Sequence, residues 1–76
     1  MIKISQLVLK KDNSTVTIDV AFAVPVQRTS PPGEFVCEVS ISPLNPVEII
    51  GESPVDALYN GVLFVRSYLE EFASRR

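Results

Sequence analysis

The sequence predicts one α+β domain, a four-stranded antiparallel β-meander with a single C-terminal helix packed on one face (β-β-β-β-α). Three observations predict it: an alternating apolar segment at residues 15–26, a second one at 34–42, and a helical apolar pattern at 54–74. The 76 residues are enough for one domain with one compact core. With 46% hydrophobic residues, the composition is that of a globular protein.

The segment 15–26 gives the clearest strand signal. Its even-numbered residues are all apolar, whereas the odd-numbered ones are polar or small. An alternation with a period of two is typical of a β-strand with one buried face. We therefore expect Val24 and Val26, at the end of the segment, to point into the core.

The segment 34–42 alternates in the same way, and its odd-numbered residues are all apolar. The Pro-Pro-Gly loop between the two segments favours a hairpin. Their apolar sets share one face when the numbers of paired residues sum to about 61, which places Phe22 opposite Val39. The same sum places Val24 opposite Cys37.

Two further strands complete the predicted sheet. In residues 2–10 the apolar positions change from even to odd numbers, and a β-bulge near Ser5 and Gln6 would turn all of them to one face. The Lys-Asp-Asn-Ser sequence at 11–14 predicts the turn into the next strand. The short segment 47–50 follows two prolines, which is typical of an edge strand.

Residues 54–74 are predicted to form the helix. Ser53 is a good N-cap, Pro54 suits the first helical position, and Asp56 places negative charge in the first turn. Apolar residues at three- and four-residue spacing form an arc of about half the circumference, which suits a helix lying across a sheet. These residues are Val55, Ala57, Leu58, Gly61, Val62, Phe64, Val65, Tyr68, Leu69 and Phe72. The glycine in this arc indicates a close approach between helix and sheet.

The composition argues against several kinds of chemistry. The chain has no histidine, and its single cysteine can form neither an intramolecular disulfide nor a thiolate metal site. Its three glycines are too far apart for a phosphate-binding loop. Glu34 and Glu38 are interpreted as solvated charges, because a catalytic pair of carboxyl groups needs burial. We therefore expect no enzyme activity, no catalytic or metal-binding residue and no cofactor.

The charge distribution bears on partners and location. The net charge is −2 and the basic residues are scattered, which argues against binding to nucleic acid or to an anionic membrane. The sequence contains neither the pattern of a signal peptide nor an apolar stretch long enough to span a membrane. Cys37 lies at an inward position, where a packed core residue is expected and not a reactive thiol. These features predict a cytoplasmic protein.

Two surfaces are candidate sites for a protein partner or a second copy of the chain. The first is the outer sheet face, where small or uncharged residues are expected: Ala21, Ala23, Val36, Ser40 and Ser42. The second is the pair Tyr59 and Leu63, which are neighbours on the otherwise polar face of the helix. For each surface, an ordinary solvated surface remains the alternative interpretation.

Two stretches of the chain carry a resemblance, residues 35–41 (Phe-Val-Cys-Glu-Val-Ser-Ile) and 50–58 (Ile-Gly-Glu-Ser-Pro-Val-Asp-Ala-Leu). An aromatic-x-Cys strand, a glycine turn and a capped helix that opens with Ala-Leu resemble a family of small bacterial domains of unknown function. The resemblance implies a β-meander followed by one long helix, and no catalytic residues. Ser53 and Asp56 stand where that family usually has Asp and Gln. The resemblance also offers an immunity or accessory role as an alternative function.

The function that these observations favour is a non-catalytic protein–protein interaction module, with a second copy of itself (a homodimer) as one kind of partner. One alternative is an accessory or immunity-type protein, and another is a small-ligand-binding protein or minor enzyme that uses Arg28 and nearby acidic residues. That alternative requires a concave pocket beside residues 27–34.

Overall fold

A computed structural model describes residues 1–29, 32–42 and 44–74. Within them lie five strands and one helix: β1 (Ile2–Leu9), β2 (Thr15–Phe22), β3 (Val26–Gln27), β4 (Phe35–Ile41), β5 (Val47–Gly51) and α1 (Pro54–Ser74). The strands form one antiparallel sheet, and α1 packs against one of its faces. The predicted α+β class is confirmed, with five strands instead of four.

The strand β4 lies at the centre of the sheet. β2 and β3 pair with successive parts of one side of β4, and β5 pairs with its other side. β1 pairs with β2 and forms one edge of the sheet, and β5 forms the opposite edge. The chain therefore runs through the sheet as a meander whose last strand is an edge strand, as predicted.

The predicted register between the two central segments is confirmed along β2. Val20 pairs with Ile41. Phe22 pairs with Val39. All four side chains are buried, so the two alternating sequences meet on one face of the sheet.

The segment 15–26, which was predicted as one long strand, is divided in the structure. It is interrupted after β2, and β3 is a separate strand beyond the interruption. Val26 pairs with Val36, a register shifted by one residue, so the predicted pairing of Val24 with Cys37 is wrong. Val24 and Val26 are both exposed, although their even numbers predicted that they would face inward. The physical reason is an extra residue in the break, where Pro25 has no N–H to donate to β4.

The strand β1 runs without the β-bulge that the sequence predicted near Ser5 and Gln6. Every residue of Ile2–Leu9 pairs with β2 in a single register. Because strand side chains alternate between faces, Leu7 and Leu9 lie on the face away from α1. Their predicted inward position is therefore wrong.

The turn between β1 and β2 fixes that register. Asn13 adopts the left-handed conformation, with φ at 70°, and the backbone N–H of Lys10 donates to the carbonyl of Ser14 at 2.8 Å. The Asp12 carboxylate accepts a hydrogen bond from the backbone N–H of Ser14 at 2.9 Å and another from its hydroxyl. These bonds lower the pKa of Asp12, because they stabilise its ionised form.

The core combines side chains of β1, β2, β4 and α1. Its buried members are Val8, Ile18, Val20, Phe22, Cys37, Val39, Ile41, Ala57 and Val65. Partly buried residues of β5 and of the helix, among them Ile49, Phe64 and Phe72, pack against these. The alternating segments and the apolar side of the helix therefore share one interior, as the sequence predicted.

The helix begins with the predicted N-cap. The hydroxyl of Ser53 accepts a hydrogen bond from the backbone N–H of Asp56 at 3.0 Å. The Asp56 carboxylate reaches back to the backbone N–H of Glu52 at 2.9 Å. A capping box normally closes on the cap residue itself, so the acidic side chain here satisfies the N–H of the residue before it.

The buried side of α1 is centred on Ala57, Gly61 and Val65. Val55 and Val62, which belong to the predicted apolar arc, are exposed. The arc in contact with the sheet is therefore narrower than the sequence predicted.

Two glycines set how closely α1 lies on β4 and β5. A Cβ atom at Gly61 would lie 3.1 Å from Cγ2 of Val39 and 3.5 Å from Sγ of Cys37. A Cβ atom at Gly51 would lie 2.3 Å from the backbone nitrogen of Ala57. The contact at Gly51 requires glycine and the one at Gly61 leaves little space, so together they fix which side of the helix faces the sheet, and Val55 and Val62 turn away.

We expect the substitution Gly51→Ala to lower the free energy of unfolding by about 2 kcal/mol or more, because the added methyl group would overlap backbone atoms that cannot move without shifting the helix. Gly61→Ala is the matched control. Its tight contact is with side chains, and the higher helix propensity of alanine, about 1 kcal/mol, offsets it. Urea unfolding followed by circular dichroism compares the two variants, and equal stabilities would contradict the close approach at Gly51.

Candidate functional site

The sheet face that α1 leaves open is here called the outer face. The cross-strand pairs place on it Lys3, Ser5, Leu7, Leu9, Thr15, Thr17, Asp19, Ala21, Val36, Glu38, Ser40, Glu48 and Ile50. Two of the residues predicted for an interaction surface, Ala21 and Ser40, are directly opposite each other near its centre.

A shallow depression of about 550 Å³ lies on the outer face around these two small residues. Its lining also includes Lys3, Ser42 and Leu44. At one side the hydroxyl of Ser5 donates a hydrogen bond to Oδ1 of Asp19 at 2.8 Å. The depression therefore exists because small side chains stand between longer polar ones, and its shape is open and not enclosed.

The two other outer-face candidates lie towards the opposite end of the sheet. Ala23 is in the break after β2, where its N–H donates to the carbonyl of Glu38 at 2.9 Å. Val36 is buried between its cross-strand neighbours Val26 and Ile50, which are themselves exposed. The structure therefore separates these two positions from the depression.

Tyr59 and Leu63 are both exposed on α1, as the sequence predicted. They line neither the depression on the outer face nor the apolar groove that lies between β1 and α1. Because Ala57 and Gly61 face the sheet, Tyr59 and Leu63 lie on the part of the helix that points to solvent.

The edge strand β1 exposes apolar side chains on both of its faces, which sequence reasoning missed. On the outer face Leu7 is 65% exposed and Leu9 is 61% exposed. On the helix side Ile2 is 52% exposed and Ile4 is 47% exposed, because α1 does not cover the start of the strand. The available signal was that the apolar positions of Ile2–Leu9 change from even to odd numbers, which indicates a strand with apolar side chains on both faces.

A groove of about 320 Å³ runs between β1 and α1 on the helix side. Ile4, Val62 and Leu69 line it, and it is almost entirely apolar. The ion pair of Arg66 and Glu70, 3.1 Å between Nε and Oε1, stands at its border. The groove joins the exposed start of β1 to the exposed flank of the helix.

Arg28, the residue predicted to contact a ligand, forms an ion pair with Glu48 at 3.0 Å. Glu48 lies directly opposite Glu38 on the neighbouring strand, where like charges repel, and the arginine offsets that repulsion. Neither depression is lined by 27–29 or 32–34, the described residues of that region. In these contacts Arg28 has a structural role on the sheet surface, where it neutralises Glu48, and it lines neither the depression on the outer face nor the groove beside α1.

The described residues contain no group of three or more His, Cys, Asp or Glu side chains placed to hold a metal ion. Among them there is also no helix with the length and apolar character needed to cross a membrane.

The fold and its exposed surfaces define a class of protein: a small α+β domain in which a single helix packs on one face of the sheet and one edge strand is exposed. Comparisons with known proteins add no relative. No protein-family model matches the chain, and no curated protein or solved structure shows a significant similarity to it. The resemblance to small bacterial domains therefore stays a prediction.

Cys37 is fully buried on the helix side of β4, in the core position that the sequence predicted. Its thiol donates a weak hydrogen bond to the carbonyl of Ala23 at 3.4 Å. Burial raises the pKa of the Cys37 thiol, because the thiolate would lose its hydration. The thiol is therefore held neutral at physiological pH.

We expect the native Cys37 thiol to react with Ellman's reagent at least about a hundredfold more slowly than in the urea-unfolded chain, because reaction requires opening of the core. The raised pKa also predicts that stability falls as the pH rises past the thiol's ordinary value of 9.0, since only the unfolded state then loses the proton. Cys37→Ala is the control for both measurements. Rapid labelling of the native protein would contradict a closed core.

Proposed function

We propose that this protein is a non-catalytic interaction module that associates with a second copy of itself through the edge strand β1. The observation that carries the proposal is the exposure of Leu7 and Leu9 on one face of β1 and of Ile2 and Ile4 on the other. A soluble chain with such a strand at a free edge either buries it in a partner or risks non-specific aggregation.

A protein partner fits the exposed surface of β1 better than nucleic acid or an anionic membrane does. Burial of apolar side chains is the main favourable contribution to protein association. The edge carries one charged residue, Lys3, whereas nucleic acid and anionic lipid are bound by clustered basic residues. On the outer face, Ala21 on the strand next to β1 and Ser40 on the strand beyond it are small enough to let a partner approach. An accessory or immunity-type role, with another protein in place of the second copy, is a variant of the same proposal. We also propose that the protein acts in the cytoplasm.

A second candidate function is binding of a small polar ligand in the depression on the outer face. Lys3, Ser42 and the hydrogen-bonded pair Ser5 and Asp19 supply polar groups that converge on it. We rank it second because the depression is shallow and open, whereas small-molecule sites bury most of their ligand.

We expect the protein, 8.4 kDa as a monomer, to sediment with twice that mass at high micromolar concentration. We also expect Leu7→Lys to raise the dimer dissociation constant by about tenfold or more, because it places a charge in the apolar surface of β1. Sedimentation velocity over a dilution series measures both.

The matched control is Leu63→Lys, the same substitution in the exposed patch of α1 on the other side of the molecule. It should leave the dissociation constant unchanged. A wild-type protein that stays monomeric at millimolar concentration would refute the proposal, and loss of dimerisation in Leu63→Lys alone would move the interface to the helix.

A further inference from the structure

We infer that two copies of the chain pair β1 against β1 as antiparallel strands about a two-fold axis at Gln6, which joins the two sheets into one. This inference rests on the proposed self-association and specifies its geometry. The argument starts from the backbone groups of the free edge.

Alternate residues of an antiparallel strand direct their N–H and C=O groups to opposite sides. The N–H of Lys10 donates to Ser14, so Lys10 and the even-numbered residues of β1 face β2. The carbonyl of Asp19 accepts from the N–H of Ser42, so the odd-numbered residues of β2 face β4 and its even-numbered ones face β1. Both observations give the same result: the odd-numbered residues of β1 direct their backbone groups to the open edge.

These edge residues are Lys3, Ser5, Leu7 and Leu9. Their backbone groups form a set that matches a second copy of itself. The axis at Gln6 places Lys3 opposite Leu9 of the other copy and Ser5 opposite Leu7. It is the register in which every one of the four finds a partner, since an axis at Ser5 or Leu7 leaves an end residue unpaired.

The side chains of both faces agree with this register. On the helix side, Ile4 of one copy lies opposite Val8 of the other, so the uncovered start of each strand meets the end that α1 already covers. Val8 is buried, and Phe72 of α1 lies under Lys10 at that end, 5.6 Å from Nζ to the ring centre. On the outer face, Leu7 of the two copies lie diagonally across the axis, within reach of each other.

The edge charge does not oppose the pairing. Lys3 of one copy lies beside Leu9 of the other, so the two lysines are at opposite ends of the paired strands. The carbonyl of Leu7 accepts a hydrogen bond from the side-chain amide of Gln6 at 3.2 Å. The partner's backbone N–H replaces that amide, which is free to turn to solvent.

Variants with one added cysteine report the register directly. The axis brings the two residues at position 6 together as a non-hydrogen-bonded pair about 4.5 Å apart between Cα atoms, within the range of a disulfide. We expect Gln6→Cys to form a disulfide-linked dimer under mild oxidation, and Ser5→Cys and Leu7→Cys to form little. The native Cys37 does not interfere, because it is fully buried. Cross-linking at position 5 or 7 in place of 6 would overturn the register.

A proline at the edge tests the backbone pairing itself. Ser5→Pro removes an N–H that points to the open edge and leaves the bonds to β2 intact. Ser5→Ala loses the same hydroxyl and keeps the N–H. We expect Ser5→Pro to raise the dimer dissociation constant by about tenfold or more relative to Ser5→Ala, with circular dichroism showing that both variants fold.

The outcomes separate this inference from the proposed function. A dimer that survives Ser5→Pro, does not cross-link through Gln6→Cys and is dissociated by Ala21→Arg packs through the outer face, and edge pairing is then refuted while self-association stands. A monomeric wild-type protein refutes both.

Discussion

The width of one helix against the width of this sheet is the constraint on which the structure depends. A helix with its side chains is about 10–12 Å wide, and neighbouring strands are about 4.8 Å apart, so one helix covers little more than two strands. Gly51 and Gly61 hold α1 in close contact with β4 and β5. Because α1 lies over β4 and β5, it leaves the start of β1 at the opposite edge of the sheet uncovered. Ile2 and Ile4 therefore stay exposed, although they lie on the same face of the sheet as the helix.

The position of the helix also explains why β4 is the centre of the molecule. Cys37 and Val39 are fully buried because α1 covers them and strands flank them on both sides. In a chain of this length the fraction of surface that can be buried is small. Here the buried side chains are concentrated where α1 covers the sheet.

The parts of the fold that follow from local periodicity could be predicted from the sequence. The alternation around Phe22 and Val39 fixes a register without any other information, and Ser53 with Pro54 marks the helix start. The break at Pro25 was missed because the apolar alternation continues through it to Val26, although a proline within a strand pattern is itself a signal of a break. The sequence predicts that the helix has an apolar side, but it places neither the centre nor the width of the arc in contact with the sheet, because the close contact of Gly51 with the helix backbone decides both.

The surface was predicted less well, for one physical reason. The prediction took apolar residues to point inward and therefore added a bulge at Ser5 and Gln6 to bring Leu7 and Leu9 inside. That rule holds for strands with a covered face and a solvated face, and it fails for β1, an edge strand that carries exposed apolar side chains on both faces. Ala21 and Ser40 were placed correctly, because they lie on central strands where the alternation is reliable.

The two edges of the sheet differ in how they are protected, and the difference gives β1 its significance. β5 is short and carries Glu48, and the side-chain amide of Asn60 on α1 donates to its Ile50 carbonyl at 3.0 Å. These are common ways to prevent edge-to-edge pairing. β1 is longer and carries only Lys3 as a charge, and it has neither proline nor bulge. One edge is thus protected in several ways while the longer, more apolar edge is open, and this asymmetry is what the proposed pairing through β1 predicts.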